Sequence, residues 1–291
     1  MRILICSDGM PASDQAIHIG GLVSRASRAE TVVLGIAEDP AHESGLRKAI
    51  EEAATSLRDA GITPRIVLGA GEPIRQILNE TSASFYDLVV IGAQRKSSGG
   101  VSWSSGKTYE VIKATPPPVL VAIGENRDLK RFLVCTGGRE FIEAAVELTG
   151  KLAAALKASV TLLHVMAEPP AMYADLVQLE EDLDRLLESK SELGVNLQKQ
   201  KRRLERLGVD VRVRIRHGIV VDQVFAEAAQ GEHDVIVTGS SQGRGIVRHY
   251  IMGDLTRSIL DHANCPVLVA RAGKAQRPGL WQRLKNIFTA S

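Results

Sequence analysis

The chain contains two copies of one pattern, and this internal repeat is the feature that most limits its possible folds. RILICSDG at Arg2–Gly9 returns as RFLVCTGG at Arg131–Gly138, an offset of 129 positions. YDLVVIGAQ at Tyr86–Gln94 returns as HDVIVTGSS at His233–Ser241, an offset of 147 positions. A repeat of about 130–150 residues has the size of one domain, so the sequence predicts two tandem domains.

The offset grows by 18 positions between these matches, so the second copy carries an insertion. The insertion falls within about 169–207, a segment rich in Leu, Glu, Lys and Arg that is typical of a lengthened amphipathic helix. We predict a first domain at 1–126, a second at 130–272, and a basic amphipathic tail at 273–291.

Apolar runs of strand length alternate with helical patterns in each copy. The strands predicted in the first copy are Ile3–Cys6, Val32–Ala37, Arg65–Leu68, Leu88–Ile91 and Val119–Ile123. Their continuous Val, Ile and Leu content indicates strands buried on both faces, as in a parallel sheet. The alternation therefore predicts an α/β fold with a doubly wound layer in each half.

VRVRIRH at Val211–His217 alternates between apolar and basic residues and is typical of an edge strand. Its arginine face has two interpretations. It is either a solvated edge that resists aggregation, which we favour, or a patch for an acidic partner.

Composition excludes several classes of function. The chain is 44% hydrophobic and 24% charged with a net charge of +2, which gives no signature of nucleic-acid or membrane binding. The first residues lack the pattern of a signal peptide, and no apolar run reaches the length of a membrane span. Three widely spaced cysteines fit a reducing compartment. We therefore expect a cytoplasmic chain with no integral membrane segment and no nucleic-acid partner.

The triplet Gly106-Lys107-Thr108 matches the last three residues of a phosphate-binding P-loop motif. A P-loop also needs a glycine five positions before Gly106, but that position holds Val101. The triplet also lies late in its domain, whereas a P-loop follows the first strand. The P-loop interpretation therefore fails on spacing and on position.

Several longer segments resemble the universal stress protein family. They are ILICSDGMPASDQAI at Ile3–Ile17, DLVVIGA at Asp87–Ala93, Gly71 with Pro73, and GSSQGRGIVRHYIMGDLTRSILDHANCPVLVAR at Gly239–Arg271. The resemblance covers nearly the whole chain and is to a tandem member of the family. It implies two five-stranded parallel sheets of order 3-2-1-4-5 that pair through their fifth strands as a pseudo-dimer. A homodimer of chains is a further possibility that it raises.

The resemblance also implies a nucleotide site beyond strands 1 and 4, where the strand order reverses. Nucleotide-binding members carry an Asp after strand 1 for the adenosine moiety. After strand 4 they carry G-x2-G-x9-G followed by Ser or Thr, which holds the phosphates. The first copy keeps Asp8 but has Lys96 in place of the middle glycine. Its candidate nucleotide-binding residues are Ser7, Asp8, Gly92, Gly106, Lys107 and Thr108.

The second copy keeps the glycines but departs from the motif elsewhere. Gly137 stands where the Asp is expected, and Asp254 replaces the Ser or Thr. As an N-cap, Asp254 would compete with an anionic ligand for the free N–H groups of its helix. The candidate residues of this copy are Gly239, Gly243 and Gly253, aligned so that Gly253 is opposite Gly106.

Electrostatics favours the first copy. Lys107 at a helix start opposes the helix macrodipole at a cost of about 0.3–1 kcal/mol, which a bound anion would offset. We expect ATP or another adenine nucleotide there, with Mg²⁺ only in company with the nucleotide. The alternative is that both pockets are empty.

Other residues give weaker signals. His164 is expected to be a hydrogen-bonded core histidine, and Cys6 and Cys135 to be buried and inert. No Ser/His/Asp group or metal-ligand spacing stands out, so we expect at most a weak ATPase. RPGLWQRLKNIF at Arg277–Phe288 is interpreted as a helix docked on its own domain, with a partner-binding helix or a membrane-surface anchor as alternatives.

Two functional hypotheses follow. The first is a stress-response regulator that binds an adenine nucleotide with degenerate motifs. The alternative is an interaction scaffold without nucleotide, acting on an unknown protein partner through surfaces such as the tail or the inserted helix.

Overall fold

The computed structural model describes residues 1–93, 105–124, 128–137, 143–167, 183–242, 250–251 and 253–271. They form two compact units, one built mainly from Met1–Ala122 and the other from Ile123–Gln242 with 251–271. The tail at 273–291 and Gly243 lie outside the described residues. The predicted domain limits at 126 and 130 stay predictions.

The first unit alternates strands and helices, with a 3-10 turn at Pro40–His42. Its elements are β1 (Arg2–Ser7), α1 (Pro11–Ser27), β2 (Glu30–Ala37), α2 (Glu43–Asp59), β3 (Arg65–Ala70), α3 (Pro73–Ala83), β4 (Leu88–Gly92), α4 (Ser105–Ala114) and β5 (Val119–Ala122). The strands lie in the order β3-β2-β1-β4-β5, and every neighbouring pair is parallel.

The second unit repeats this arrangement. Its elements are β6 (Arg131–Cys135), α5 (Glu143–Leu156), β7 (Ser159–Met166), α6 (Leu183–Glu188), α7 (Glu192–Glu205), β8 (Val211–His217), α8 (Val220–Gln230), β9 (Val235–Gln242), β10 (Tyr250–Ile251), α9 (Asp254–His262) and β11 (Val267–Arg271). Five of its strands lie in the order β8-β7-β6-β9-β11, again with parallel neighbours. The prediction of two tandem doubly wound parallel layers of order 3-2-1-4-5 is confirmed.

Burial explains why apolar and polar residues do not alternate along the central strands. All five residues of β4 and all four of β5 are buried, because helices cover a doubly wound sheet on both faces. Helix α1 packs closely on this sheet at Gly20, where a Cβ atom would lie 2.6 Å from Ile5 Cδ1. A larger residue at this position would push the helix away from the strand.

Gly71 and Gly218 show the repeat at the level of single residues. They follow β3 and β8 with φ angles of +103° and +120°, a region that residues with a Cβ atom rarely adopt. Pro73 begins α3 as predicted, and the preceding Glu72 side chain accepts hydrogen bonds from two N–H groups of the first turn. These glycines are 147 positions apart, the offset of the match between Tyr86–Gln94 and His233–Ser241, and they serve the same turn.

The arginine-rich strand β8 lies at the edge of its unit's strand order, as predicted. Val211 and Val213 are buried, while Arg212 and Arg214 are exposed. Arg216 differs from the predicted solvated face, because its Nε donates a 2.7 Å hydrogen bond to the buried Glu227 carboxylate. One arginine of the strand thus stabilises a buried charge.

The prediction of one lengthened helix in the insertion is wrong within the described residues. The chain breaks between α6 and α7, where the Ser189 hydroxyl donates to the Leu186 carbonyl at 2.7 Å. The Ser191 side chain then caps α7 by accepting from Gly194 N at 3.1 Å. Serine hydroxyls compete for backbone groups in this way, which is why they interrupt helices and begin new ones.

Candidate functional site

The crevice of the first unit lies where β1 and β4 are neighbours, although two other strands, β2 and β3, come between them in the chain. Ile3 pairs with Leu88 and Ile5 with Val90 in parallel register. The connections from these two strands lead away on opposite sides of the reversal in strand order, which leaves a crevice at their carboxyl ends. Ser7 ends β1 and Gly92 ends β4, so the fold brings the ends of both predicted segments to one edge.

The turn after β1 is held by its own side chains. The Ser7 hydroxyl is buried, accepts a hydrogen bond from Gly9 N at 3.1 Å and shares another with the Ser13 hydroxyl at 2.8 Å. Asp8 Oδ1 accepts from Met10 N at 3.0 Å. Gly9 has a φ of +74°, which allows the tight turn. The half-exposed Asp8 carboxylate is therefore fixed at the mouth of the crevice with its second oxygen available.

A second carboxylate, Asp14 in the first turn of α1, lies close to Asp8. Partial desolvation and then the charge of Asp8 raise the pKa of Asp14. Two neighbouring carboxylates make this side of the crevice a poor place for phosphate. They make it a good acceptor for hydroxyl groups, such as those of a ribose.

The start of α4 belongs to the same edge of the sheet, because this helix connects the parallel strands β4 and β5. This helix begins at Ser105, so Gly106, Lys107 and Thr108 all lie in its first turn. The first four N–H groups of a helix have no partner within it and carry the positive end of the macrodipole. This end of α4 can therefore hold an anion.

Thr108 is the unusual residue of this turn. It is only 4% exposed, and its hydroxyl has no hydrogen-bond partner among the described residues. A buried polar group without a partner costs about 1–3 kcal/mol.

The equivalent hydroxyl in the second unit is satisfied. Thr256 is 2% exposed, donates to the Gly239 carbonyl at 3.1 Å and shares a hydrogen bond with the Thr238 hydroxyl at 2.8 Å. The first unit cannot form the second bond, because Ile91 stands at the position of Thr238 in β4.

This equivalence corrects the sequence alignment by one residue. Helices α4 and α9 end at Ala114 and His262, and the next strands begin at Val119 and Val267, both at an offset of 148. Thr108 therefore corresponds to Thr256, and Gly253 to Ser105 rather than to Gly106. Because the loops between strand 4 and this helix lie largely outside the described residues, their own alignment stays a prediction.

The remaining candidates of the second unit are placed as follows. Gly253 is the N-cap of α9, so the prediction of Asp254 as N-cap is wrong and Asp254 is the first helical residue. Gly239 is exposed in β9, and Gly137 follows β6 with no atom within 4 Å of where a Cβ would lie. Steric crowding therefore does not explain why position 137 holds Gly rather than the expected Asp.

The histidine and cysteine predictions can also be compared with the structure. His164 is half-buried, and its Nδ1 hydrogen-bonds to the Thr136 carbonyl at 2.9 Å, which confirms a hydrogen-bonded histidine. Cys6, Cys135 and Cys265 are free and buried, as predicted for the first two. Desolvation raises the pKa of Cys135 to about 12 and that of Cys265 to about 11, which keeps both as thiols.

Two features are absent from the part of the chain that the structure describes. No group of three or more His, Cys, Asp or Glu side chains in these ranges could hold a metal ion. No helix among the described residues is long and apolar enough to cross a membrane.

Comparison with known proteins agrees with this architecture. The model of the universal stress protein family matches residues 128–271, and the first unit repeats the same strand order. Universal stress protein MJ0531 of Methanocaldococcus jannaschii is 24% identical over 157 residues, which is 54% of this chain and 90% of that protein. Residues 128–271, which contain the second unit, belong to the universal stress protein family.

Solved structures of similar fold extend over both units. A universal stress protein from Archaeoglobus fulgidus has a TM-score of 0.66 at 20% identity, covering 94% of this chain and 98% of its own. A putative universal stress protein from Pseudomonas aeruginosa has a TM-score of 0.66 at 14% identity, covering 100% and 98%. These likenesses show the tandem fold.

Sequence reasoning missed Ser13, Asp14 and the Thr238–Thr256 pair. A usable signal existed for Thr256, because PVLVA repeats at an offset of 148 and that offset places it opposite Thr108. No motif marked Ser13 or Asp14, which gain their roles only from the turn that Asp8 and Gly9 make.

Proposed function

We propose that this protein is a stress-response regulator that binds ATP or another adenine nucleotide in the crevice of the first unit. Membership of the universal stress protein family supports the role in stress response. The observation that most supports a bound nucleotide is the buried Thr108 hydroxyl in the first turn of α4, which has no partner among the described residues. A phosphate oxygen is an acceptor that this hydroxyl can reach together with free N–H groups of the helix.

The charge distribution supports one orientation of the nucleotide. Asp8, with Asp14 nearby, would accept hydrogen bonds from ribose hydroxyls beside β1. Lys107, Thr108 and the backbone at Gly106 would face the phosphates at α4, and Gly92 leaves the end of β4 open for close approach. Carboxylates beside β1 and the positive end of the α4 macrodipole would thus match the two ends of a nucleotide.

The second unit is proposed to be a structural copy. Its Thr256 hydroxyl is already bonded, and its helix begins with a carboxylate at Asp254. Gly137 provides no acceptor for a ribose. Phosphate would meet a negative charge at one end, and the sugar would lack a partner at the other.

The remaining parts of the proposal follow from the same residues. Mg²⁺ would enter only with the nucleotide, whose phosphates would supply its ligands. The protein would act as a binding regulator in the cytoplasm, with at most a weak ATPase activity. The two units would pair within the chain through their fifth strands, and two chains could form a homodimer.

Calorimetric titration of the full chain with ATP and ADP tests this proposal. Thr108→Val should weaken binding roughly tenfold, because one hydrogen bond to a charged group is lost. Thr256→Val, the same change at the equivalent position of the second unit, should leave the affinity unchanged. Asp8→Asn should also weaken binding.

Two results would count against a nucleotide. One is the absence of heat and of thermal stabilisation at millimolar ligand, since a ligand of the native state must raise its stability. The other is an equal loss of affinity in Thr108→Val and Thr256→Val. The alternative, an interaction scaffold, would then be favoured, and the second unit offers a surface that suits it.

A further inference from the structure

Helix α7 and its C-cap residue Arg206 carry four cations on one face. They are Lys199, Arg202, Arg203 and Arg206, at positions i, i+3, i+4 and i+7. This spacing places them in one stripe that is about 10 Å long at 1.5 Å per residue. The stripe belongs to the second unit and does not involve the nucleotide crevice.

The stripe borders an open cleft of about 450 Å³, which we call the basic cleft. Its lining includes Leu187, Val195, Lys199, Arg202, Arg203 and Arg206. Val195 is 52% exposed, an unusual degree for a large apolar residue, and Leu187 is half-buried. The basic cleft therefore combines an apolar end with a positively charged wall.

The four cations are not equally available. Lys199 Nζ lies 2.6 Å from a Glu143 oxygen, and Arg203 lies 2.6 Å from Glu147, so helix α5 neutralises one flank. Arg202 and Arg206 are exposed and form no ion pair with any residue that the structure describes. The outer flank of the stripe keeps two uncompensated charges.

A buried acceptor adds an independent observation. The Oε1 atom of Gln198 is buried in the lining of the basic cleft and has no hydrogen-bond partner among the described residues. Such an atom requires a donor, and rotation of the half-buried Gln198 side chain towards the cleft would let it accept from a backbone N–H of an extended peptide.

We propose that the basic cleft binds an acidic peptide segment of another protein. Carboxylates of the segment would pair with Arg202 and Arg206, and an apolar side chain would cover Val195 and Leu187. The apolar end of the cleft favours a peptide over a bare anion. No aromatic side chain among the described lining residues offers the stacking surface that single-stranded nucleic acid uses.

Fluorescence anisotropy with the full chain tests the proposal. The probe is a short fluorescein-labelled peptide in which Glu residues alternate with Leu. Arg202→Gln/Arg206→Gln should weaken binding about tenfold, and raising the salt from about 50 mM to about 500 mM should weaken it further. Val195→Asp should weaken it as well. Arg47→Gln/Lys48→Gln, which removes the same charge from exposed positions on α2, should have no effect.

Several results would overturn the proposal. They are the absence of saturable binding, equal affinity of the Arg202/Arg206 and Arg47/Lys48 variants, and equal binding of an oligo-Glu peptide without Leu. Displacement of the probe by inorganic phosphate at equal concentration would show a general anion surface and would overturn it too. Circular dichroism of each variant establishes that the fold is kept. Nucleotide titration of the Arg202/Arg206 variant should be unchanged, which separates this proposal from the first.

Discussion

A single hydroxyl distinguishes the two copies at the carboxyl ends of their sheets. Thr108 and Thr256 occupy equivalent helical positions and are both almost fully buried. Thr256 is bonded to Thr238 and to the Gly239 carbonyl, whereas Thr108 faces a strand that carries Ile91 instead. The same residue type therefore stabilises one unit and leaves an unsatisfied group in the other.

This difference predicts that a Thr→Val substitution has opposite effects on the free energy of unfolding in the two units. Without nucleotide, Thr108→Val should raise the free energy of unfolding by about 1 kcal/mol, because it removes an unpaired buried hydroxyl. Thr256→Val should lower it by about 1–2 kcal/mol, because the Thr238 hydroxyl loses its partner. Urea denaturation of both variants measures whether each substitution raises or lowers the free energy of unfolding. Equal signs would contradict the assignment of Thr108 as unpartnered.

The buried residue His233 predicts how the stability of the fold depends on pH. Its Nδ1 donates to the Glu227 carbonyl at 3.1 Å, and its Nε2 lies 3.0 Å from the Thr161 hydroxyl, partners that the neutral ring satisfies. Burial lowers the pKa of His233. The unfolded chain then binds a proton more readily, so stability is lost as the pH falls below the ordinary value of about 6.5 towards the lower folded pKa.

Unfolding measured between pH 7.5 and 5 checks this effect. His233→Gln should lose part of the wild-type decline in stability on acidification, although its stability at neutral pH is lower. His42→Gln, at an exposed histidine, is the control and should follow the wild-type curve. An unchanged pH slope in His233→Gln would show that other groups cause the decline.

At the scale of elements, the break between α6 and α7 depends on a close approach at Gly194. A Cβ atom there would lie 2.1 Å from the Leu186 carbonyl oxygen, whereas nothing lies within 4 Å of a Cβ at Gly45 in α2. Gly194→Ala should therefore lower the free energy of unfolding by about 1–3 kcal/mol. Gly45→Ala should raise it by about 0.5–1 kcal/mol, because alanine favours a helix.

Thermal denaturation compares the two alanine variants directly. Both replace one helical glycine, so a difference in sign isolates the contact with Leu186. Stabilisation by Gly194→Ala would mean that α7 can move away from α6. The basic cleft would then lack the fixed geometry proposed for it.

At the scale of the whole molecule, the chain repeats one fold with two different sites. The proposal places nucleotide in one of them, so calorimetry should give one nucleotide bound per chain. A stoichiometry of two would show that Gly137 and Asp254 do not prevent binding in the second unit. Asp8→Asn would then leave one site intact.

Much of the fold could be predicted from the sequence, because the repeat and the apolar strands are local patterns. The strands of the first unit match the predicted runs within two residues at each end. The candidate site was only partly predictable. The family resemblance points to Ser7 and Asp8 at the end of β1, and their role stays a prediction. A hydroxyl's partner belongs to another strand, and Ile91 and Thr238 are equally suitable for a buried strand.

The sequence by itself determined the two copies, their α/β layers and the turns at Gly71 and Gly218, because period, burial and backbone freedom are properties of neighbouring residues. Tertiary structure alone decided that a new helix begins after the cap at Ser191 and that Arg216 binds Glu227. It also decided that Thr108, Arg202 and Arg206 find no side-chain partner among the described residues. These outcomes depend on which atoms from distant segments meet, and hydrogen bonds and ion pairs form only over a few ångströms.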